Sequence, residues 1–254
     1  DLLTKLARLV PGVIYQYRLD PDGRSAFPYA SPGMNDIYEV TPEEVRDDAT
    51  PVFGRLHPDD YDMVAGAIQA SALTLNTFYC EFRVVLPRQG LRWRWSQAHP
   101  ERLADGGTLW HGIISDITER KLAEAAIHES EEQFRTLTTL APIGIYLTTP
   151  DGRCRYANPR WCEMAGLTLN EALDEGWTRG LHPDDRDAVF AAWQKTVAAA
   201  GSWELEYRFR TPGGKVTWVQ GLAAAQHDAA GRVSGYVGAN IDITERKLAE
   251  QALH

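Results

Sequence analysis

Seven histidines and three cysteines carry the metal-ligand and nucleophile chemistry open to this chain, and their spacing limits what they can do. His57 and His182 each precede a Pro-Asp-Asp run where a helix begins, so the ring serves to end a loop. His99, His111 and His227 fall in or beside strand patterns with no partner at ligand spacing, and His128 and His254 fall on polar helical stretches. Cys80, Cys154 and Cys162 are too scattered for a disulfide framework or a zinc pattern. Asp59-Asp60 and Asp184-Asp185 are paired carboxylates only in sequence: in the first turn of a helix the positive dipole end explains them without catalysis. There is no G-x-S-x-G, no P-loop, no H-E-x-x-H and no kinase loop set. No catalytic residue and no metal ligand is assigned.

The elements that must position these side chains read as mixed helix and strand. Trp203, Leu205, Tyr207 and Phe209 alternate with Glu204, Glu206, Arg208 and Arg210, the period of a half-buried strand. Phe78, Cys80, Phe82 and Val84 repeat that alternation earlier in the chain. A second strand in each half runs through Val216 and Trp218, and through Leu91, Trp93 and Trp95 set against Arg92 and Arg94. That pattern predicts inward tryptophans. Third strands over residues 107–115 and 232–241 complete a meander. Thr41-Pro-Glu-Glu44 and Thr168-Leu-Asn-Glu171 are capping boxes, and a helix of about four turns is predicted after His182-Pro-Asp-Asp185.

Repetition sets the organisation. DITERKLAE at Asp116–Glu124 recurs at Asp242–Glu250, LHPDD at Leu56–Asp60 recurs at Leu181–Asp185, and PDGR at Pro21–Arg24 recurs at Pro150–Arg153. The order is kept and the spacing is nearly constant, so two units of normal domain size follow one another. The expected boundaries are a first domain over 1–117, a linker helix over 118–133, a second domain over 134–243 and the start of an exit helix over 244–254. The fold class is α+β, each unit a five-stranded antiparallel sheet with helices on one face.

The 254 residues hold 26 Lys and Arg against 35 Asp and Glu, a formal net charge of −9. That balance argues against nucleic acid or an anionic membrane surface as partner. No apolar run approaches the roughly 20 residues of a membrane helix. With no leader pattern and unpaired cysteines, a cytoplasmic location is expected.

YANPRWCEMAGLT at Tyr156–Thr168, then LHPDD, a G-x-W strand pattern and the closing DITERK together resemble a PAS domain with its C-terminal PAC motif, of the subfamily that carries HPDD. The first unit matches more loosely, through YASPGMNDIYEVTPEE. The resemblance covers nearly the whole chain, twice. It implies a cleft between helices and sheet that takes a small ligand or cofactor, and a terminal helix that feeds an output domain of histidine kinase or diguanylate cyclase type beyond this segment. Haem-binding members use a histidine within the long helix; residues 58–74 and 183–197 carry none past the first turn. The light-sensing branch needs a cysteine in a motif resembling NCRFLQ, whereas Cys162 sits in RWCEM and reads as a structural thiol. Non-covalent flavin stays open, and the cofactor is unassigned.

The eight tryptophans have two readings, as core fill or as cleft lining. On the second, Trp161, Trp177, Trp203, Tyr207 and Trp218 stack on a flat ligand, with Gln220 and Asn240 as polar anchors. Ser31, Trp93, Trp95 and Ile114 stand at the matching places of the first unit, whose cleft is expected to be more apolar and filled. Asp116, Thr118 and Glu119, and equally Asp242, Thr244 and Glu245, are the expected coupling residues: an Asp-initiated capping box, to which the resemblance adds a bond from the Thr118 and Thr244 hydroxyls to the sheet edge. Ala123, Ile127, Ser130, Phe134 and Leu137 form a weak heptad stripe that favours a homodimer through the helices. The whole reads as a sensory relay segment, with a ligand-free dimerisation scaffold as the rival.

Overall fold

The computed structural model describes residues 12–252, so His254 lies outside the described residues. The chain divides into two compact units, Asp1–His128 and Glu129–His254.

In the first unit, β1 (Val13–Leu19) and β2 (Ser25–Ala30) form a hairpin across the Pro21–Arg24 turn. Three one-turn helices follow: α1 (Met34–Tyr38), α2 (Pro42–Val45) and α3 (Thr50–Phe53). A 3₁₀ turn at Pro58–Asp60 leads into α4 (Tyr61–Thr74). Then β3 (Phe78–Leu86), β4 (Gly90–Arg102) and β5 (Thr108–Asp116) run as a meander, giving the antiparallel order β2-β1-β5-β4-β3.

Helix α5 (Thr118–Leu140) carries the chain onward. The second unit repeats the plan with β6 (Gly144–Thr148), β7 (Cys154–Ala157), α6 (Pro159–Ala165), α7 (Leu169–Ala172) and a 3₁₀ turn at Gly176–Gly180. It continues with α8 (Pro183–Ala198), β8 (Trp203–Arg210), β9 (Val216–His227), β10 (Val233–Asp242) and α9 (Thr244–Ala252), in sheet order β7-β6-β10-β9-β8. Each unit is therefore a five-stranded antiparallel sheet with helices, as its patterning predicts.

Local chemistry accounts for the helix starts. Both capping boxes form, Thr41 with Glu44 and Thr168 with Glu171. His57 and His182 accept the N–H of Asp59 and Asp184 through Nδ1, each at 3.3 Å, so the rings are caps. Helix α5 does not stop at residue 133 but runs to Leu140. From Phe134 onward its side chains belong to the second unit's packing: the Phe134 ring lies 5.5 Å from Tyr156, and buried Thr138 bonds the Tyr156 hydroxyl at 2.9 Å. Phe134 is thereby drawn out of the heptad stripe.

One expectation fails on the pleat. Register pairs Phe82 with Arg94 and Cys80 with Ser96, and directly paired residues share a face. Since β3 buries Phe78, Cys80, Phe82 and Val84, it is Arg94, Ser96 and Ala98 of β4 that point inward. Trp93 and Trp95 stand on the opposite face. The second unit behaves alike: Tyr207 pairs with Val219 and Leu205 with Gly221, which sends Trp218 and Gln220 to the outer face. Size and hydrophobicity misled there because Trp93 and Trp218 are each held on the outer face by two cations. The Arg83 and Lys121 groups lie 5.8 and 5.2 Å from the Trp93 ring centroid, and Arg208 and Lys247 lie 5.3 and 5.6 Å from that of Trp218.

Candidate functional site

In the second unit Trp161, Trp177, Trp203, Tyr207 and Asn240 line one cavity of about 30 Å³. Tyr146, Thr148, Cys154 and Trp193 complete its wall. Trp218 and Gln220 do not join it; the Gln220 amide instead donates to Glu204 at 2.9 Å on the outer face. The aromatic rings also pack on one another: Trp193 lies 5.0 Å from Trp203 and 5.3 Å from Tyr236, and Trp161 lies 5.3 Å edge-on to Phe209. The tryptophans thus fill the core and bound a small void at once. Asn240 is fully buried and donates Nδ2–H to the Tyr207 hydroxyl at 2.7 Å. Gly221 makes room for that pair, since a Cβ there would stand 2.7 Å from the Tyr207 ring and 3.2 Å from the Asn240 nitrogen.

The first unit's cavity is the larger, about 50 Å³, and is not filled as expected. Of the residues placed there from sequence only Ile114 lines it; Trp93 and Trp95 are on the other face, and Ser31 bonds the Ile14 N–H instead. Its polar groups are hydroxyls that sequence patterning missed, chiefly Tyr15, bonded to Ser96 at 2.9 Å. Burial pushes the Tyr15 phenol up to about 12, so it stays a neutral hydroxyl. A flat cofactor needs a pocket of several hundred Å³. Neither cavity admits one without repacking.

Reactive chemistry is muted throughout. Burial pushes the Cys80 and Cys154 thiols up to about 11, and raises Cys162 as well, so the nucleophilic thiolate is disfavoured. Among the described residues no group of three or more His, Cys, Asp or Glu side chains is placed to hold a metal.

The exit junctions are closely bonded in both units. Asp116 Oδ1 accepts the Thr118 N–H at 2.8 Å, and the Thr118 hydroxyl accepts the Trp93 N–H of β4 at 2.9 Å. Asp242 and Thr244 repeat this with Trp218, at 3.0 Å each. Burial alone would raise the Asp116 carboxyl, but the Thr118 bonds and the Arg94 guanidinium outweigh it and hold it below the ordinary value. Among the described residues Glu119 and Glu245 make no bond back to the amides of Asp116 and Asp242. The next two residues anchor the helix instead: Arg120 and Lys121 reach Glu81 at 2.7 and 2.6 Å, and Arg246 and Lys247 reach Glu206 at 2.5 and 2.6 Å.

These anchors extend to the other repeated motif. Asp60 holds Arg83 through both oxygens at 2.5 and 2.9 Å and takes its N–H at 2.8 Å; Asp185 holds Arg208 at 2.5 and 2.9 Å and takes its N–H at 2.9 Å. In each unit a chain of contacts therefore runs from the second Asp of LHPDD through a strand Arg and an outer-face Trp to the Lys of DITERK. Asn158, which sequence reading passed over, uses all four of its bonding sites. Its Oδ1 accepts Ile145 and Trp161 N–H, and its Nδ2 donates to the carbonyls of Thr138 and Ile143. It fastens the last turn of α5 to β6 and α6. A polar residue before Pro at a helix start was the available signal.

Known proteins agree with this architecture. A family profile described as PAS fold matches residues 27–114 and 155–240. The uncharacterized protein y4lL of Sinorhizobium fredii is 34% identical over 197 residues, covering 77% of this chain and 24% of that protein. The peroxide stress-activated histidine kinase mak1 of Schizosaccharomyces pombe is 25% identical over 217 residues, covering 79% and 13%. The two-component sensor PprA of Pseudomonas aeruginosa is 26% identical over 227 residues, covering 88% and 24%. The chain spans about a quarter or less of the length of these relatives.

Proposed function

The chain belongs to the PAS fold family in both of its units, and on that footing we propose that it is a sensory relay segment of a longer signalling protein. The observation that carries the proposal is the course of β10. Asn240 sits on the second unit's cavity, and two residues on, in the same strand, Asp242 caps the exit helix. A change of packing around Asn240 is thus delivered to the cap with no flexible segment between. The mechanism is population shift: an occupant of the cavity that prefers one strand packing biases the direction of α9.

The relatives that are histidine kinases and two-component sensors favour a histidine kinase output over a diguanylate cyclase. The exposed stripe on α5 supports a homodimer through the helices, and the acidic balance disfavours nucleic acid. Among the described residues no helix is long and apolar enough to cross a membrane; a cytoplasmic position is part of the proposal. The smallness of both cavities favours one rival, a ligand-free scaffold that sets helix spacing. The discriminating experiment is the full-length parent carrying Asp242→Ala, assayed for output with and without stimulus. Loss of the response with basal output kept supports the relay; an intact response leaves Asp242 as a helix cap only.

A further inference from the structure

Two buried polar atoms of the second unit have no protein partner, and both belong to residues of the same cavity. They are the indole Nε1 of Trp203 and the Oδ1 of Asn240. Trp203 is 6% exposed and Asn240 is 0% exposed, so neither atom reaches bulk water. Two neighbours are satisfied: Trp193 Nε1 donates to the Gly152 carbonyl at 2.9 Å, and the Tyr236 hydroxyl donates to the Val197 carbonyl at 3.2 Å. Buried polar groups are normally paired, so two orphans among the residues lining one cavity call for a common explanation. One is a donor and the other an acceptor. They flank Tyr207, which stacks edge-on to Trp203 at 6.1 Å and takes the Asn240 N–H at 2.7 Å.

The rest of the wall is uncharged. It consists of aromatic rings, Thr148, Gly152 and the Cys154 thiol, which burial keeps protonated. A carboxylate or ammonium entering here would lose its hydration with no counter-charge to replace it. The volume, about 30 Å³, admits only two or three water-sized groups. The occupant must therefore be small at this point, neutral, and carry an acceptor beside a donor.

We propose that this cavity binds an uncharged carboxamide group, its carbonyl accepting from the Trp203 indole and its N–H donating to Asn240 Oδ1. The ligand class is a small amide or urea-like metabolite. This rests on the sensory reading only for its physiological meaning.

The test is an indole ¹H–¹⁵N spectrum of the whole chain, labelled at tryptophan and titrated with formamide, acetamide and formate. Saturable movement of the Trp203 and Trp193 resonances with the two amides, but not with the isosteric anion, is the expected result. In Trp203→Phe, which keeps an aromatic ring in the core, the Trp193 response should weaken about tenfold or more, the loss of roughly one hydrogen bond; Asn240→Leu should act alike. No movement beyond that of free tryptophan, equal movement with formate, or an unchanged response in Trp203→Phe would overturn the proposal and leave a resident water only. The outcome is separable from the relay experiment, because Asp242→Ala should bind formamide as the parent chain does.

Discussion

Arg94, with no solvent exposure, places a guanidinium nitrogen 2.6 Å from the carboxylate of Asp116, at the point where β5 gives way to α5. The same guanidinium donates from Nε to the Ile37 carbonyl at 2.9 Å. One buried cation thus ties the exit cap of the first unit to the sheet and to α1. The second unit has Val219 at the equivalent place beside Trp218, and there Asp242 turns to Arg160 on α6, at 3.3 Å. Two copies of one motif hold their exit helices to different parts of the fold.

That difference makes the pair testable by a double-mutant cycle. Asp116→Ala strands a buried cation and should cost about 3 kcal/mol, the low end for a broken buried pair because Asp116 is itself 40% exposed. Arg94→Met removes the charge with little change of volume, and because it leaves the Ile37 carbonyl without its donor it should cost about 1–2 kcal/mol, less than Asp116→Ala. The double variant should be more stable than Asp116→Ala alone. Urea midpoints read the cycle, and simple additivity would show the two residues to be independent.

Acid should weaken both units together. Hydrogen bonds from Arg83 and Arg208, chiefly, hold the Asp60 and Asp185 carboxyls below their ordinary value. The unfolded chain then takes up the proton first, so the contribution is complete above about pH 5 and is lost as pH falls through about 4 and below. Urea midpoints taken from about pH 6 down to 3 should show the loss, and Asp60→Asn with Asp185→Asn should flatten it. An acid limb unchanged in the double variant would assign the effect elsewhere.

Asn158→Ala should cost about 3 kcal/mol or more, because it orphans the buried N–H groups of Ile145 and Trp161 and two carbonyls. Its particular mark is expected at the end of α5, where the Thr138 carbonyl loses its partner. Amide exchange should quicken in 134–140 before it quickens in β9, and uniform quickening would count against a local tie.

Helix α5 exposes 62% of Ile127 and 71% of Leu137. A stripe so short should give weak self-association, with Kd in the micromolar range, about −8 kcal/mol. Sedimentation equilibrium should detect it, and Ile127→Glu with Leu137→Glu should abolish it. Phe134, turned toward Tyr156, should contribute little to the dimer.

The two-unit plan was legible because whole motifs recur in the same order along the chain, and the strand alternation of β3 and β8, the capping boxes and the caps at Asp116 and Asp242 were legible because each is set by neighbours within about four positions. Which face β4 and β9 turn inward was not. Each strand offers two phases; hydrophobicity chose the tryptophans, whereas pairing with β3 and β8 buries Arg94 and Val219. That choice depends on partners far along the chain: Asp116 for Arg94, Lys121 and Lys247 for the displaced rings. The candidate site divided in the same way. Trp161, Trp203, Tyr207 and Asn240 converge because their strands and helix were read correctly, while Trp218 and Gln220 left with the pleat. The long-range ties from LHPDD to DITERK, and the two orphaned atoms in the cavity, exist only once the sheet has closed, since they join side chains that local patterning treats as independent.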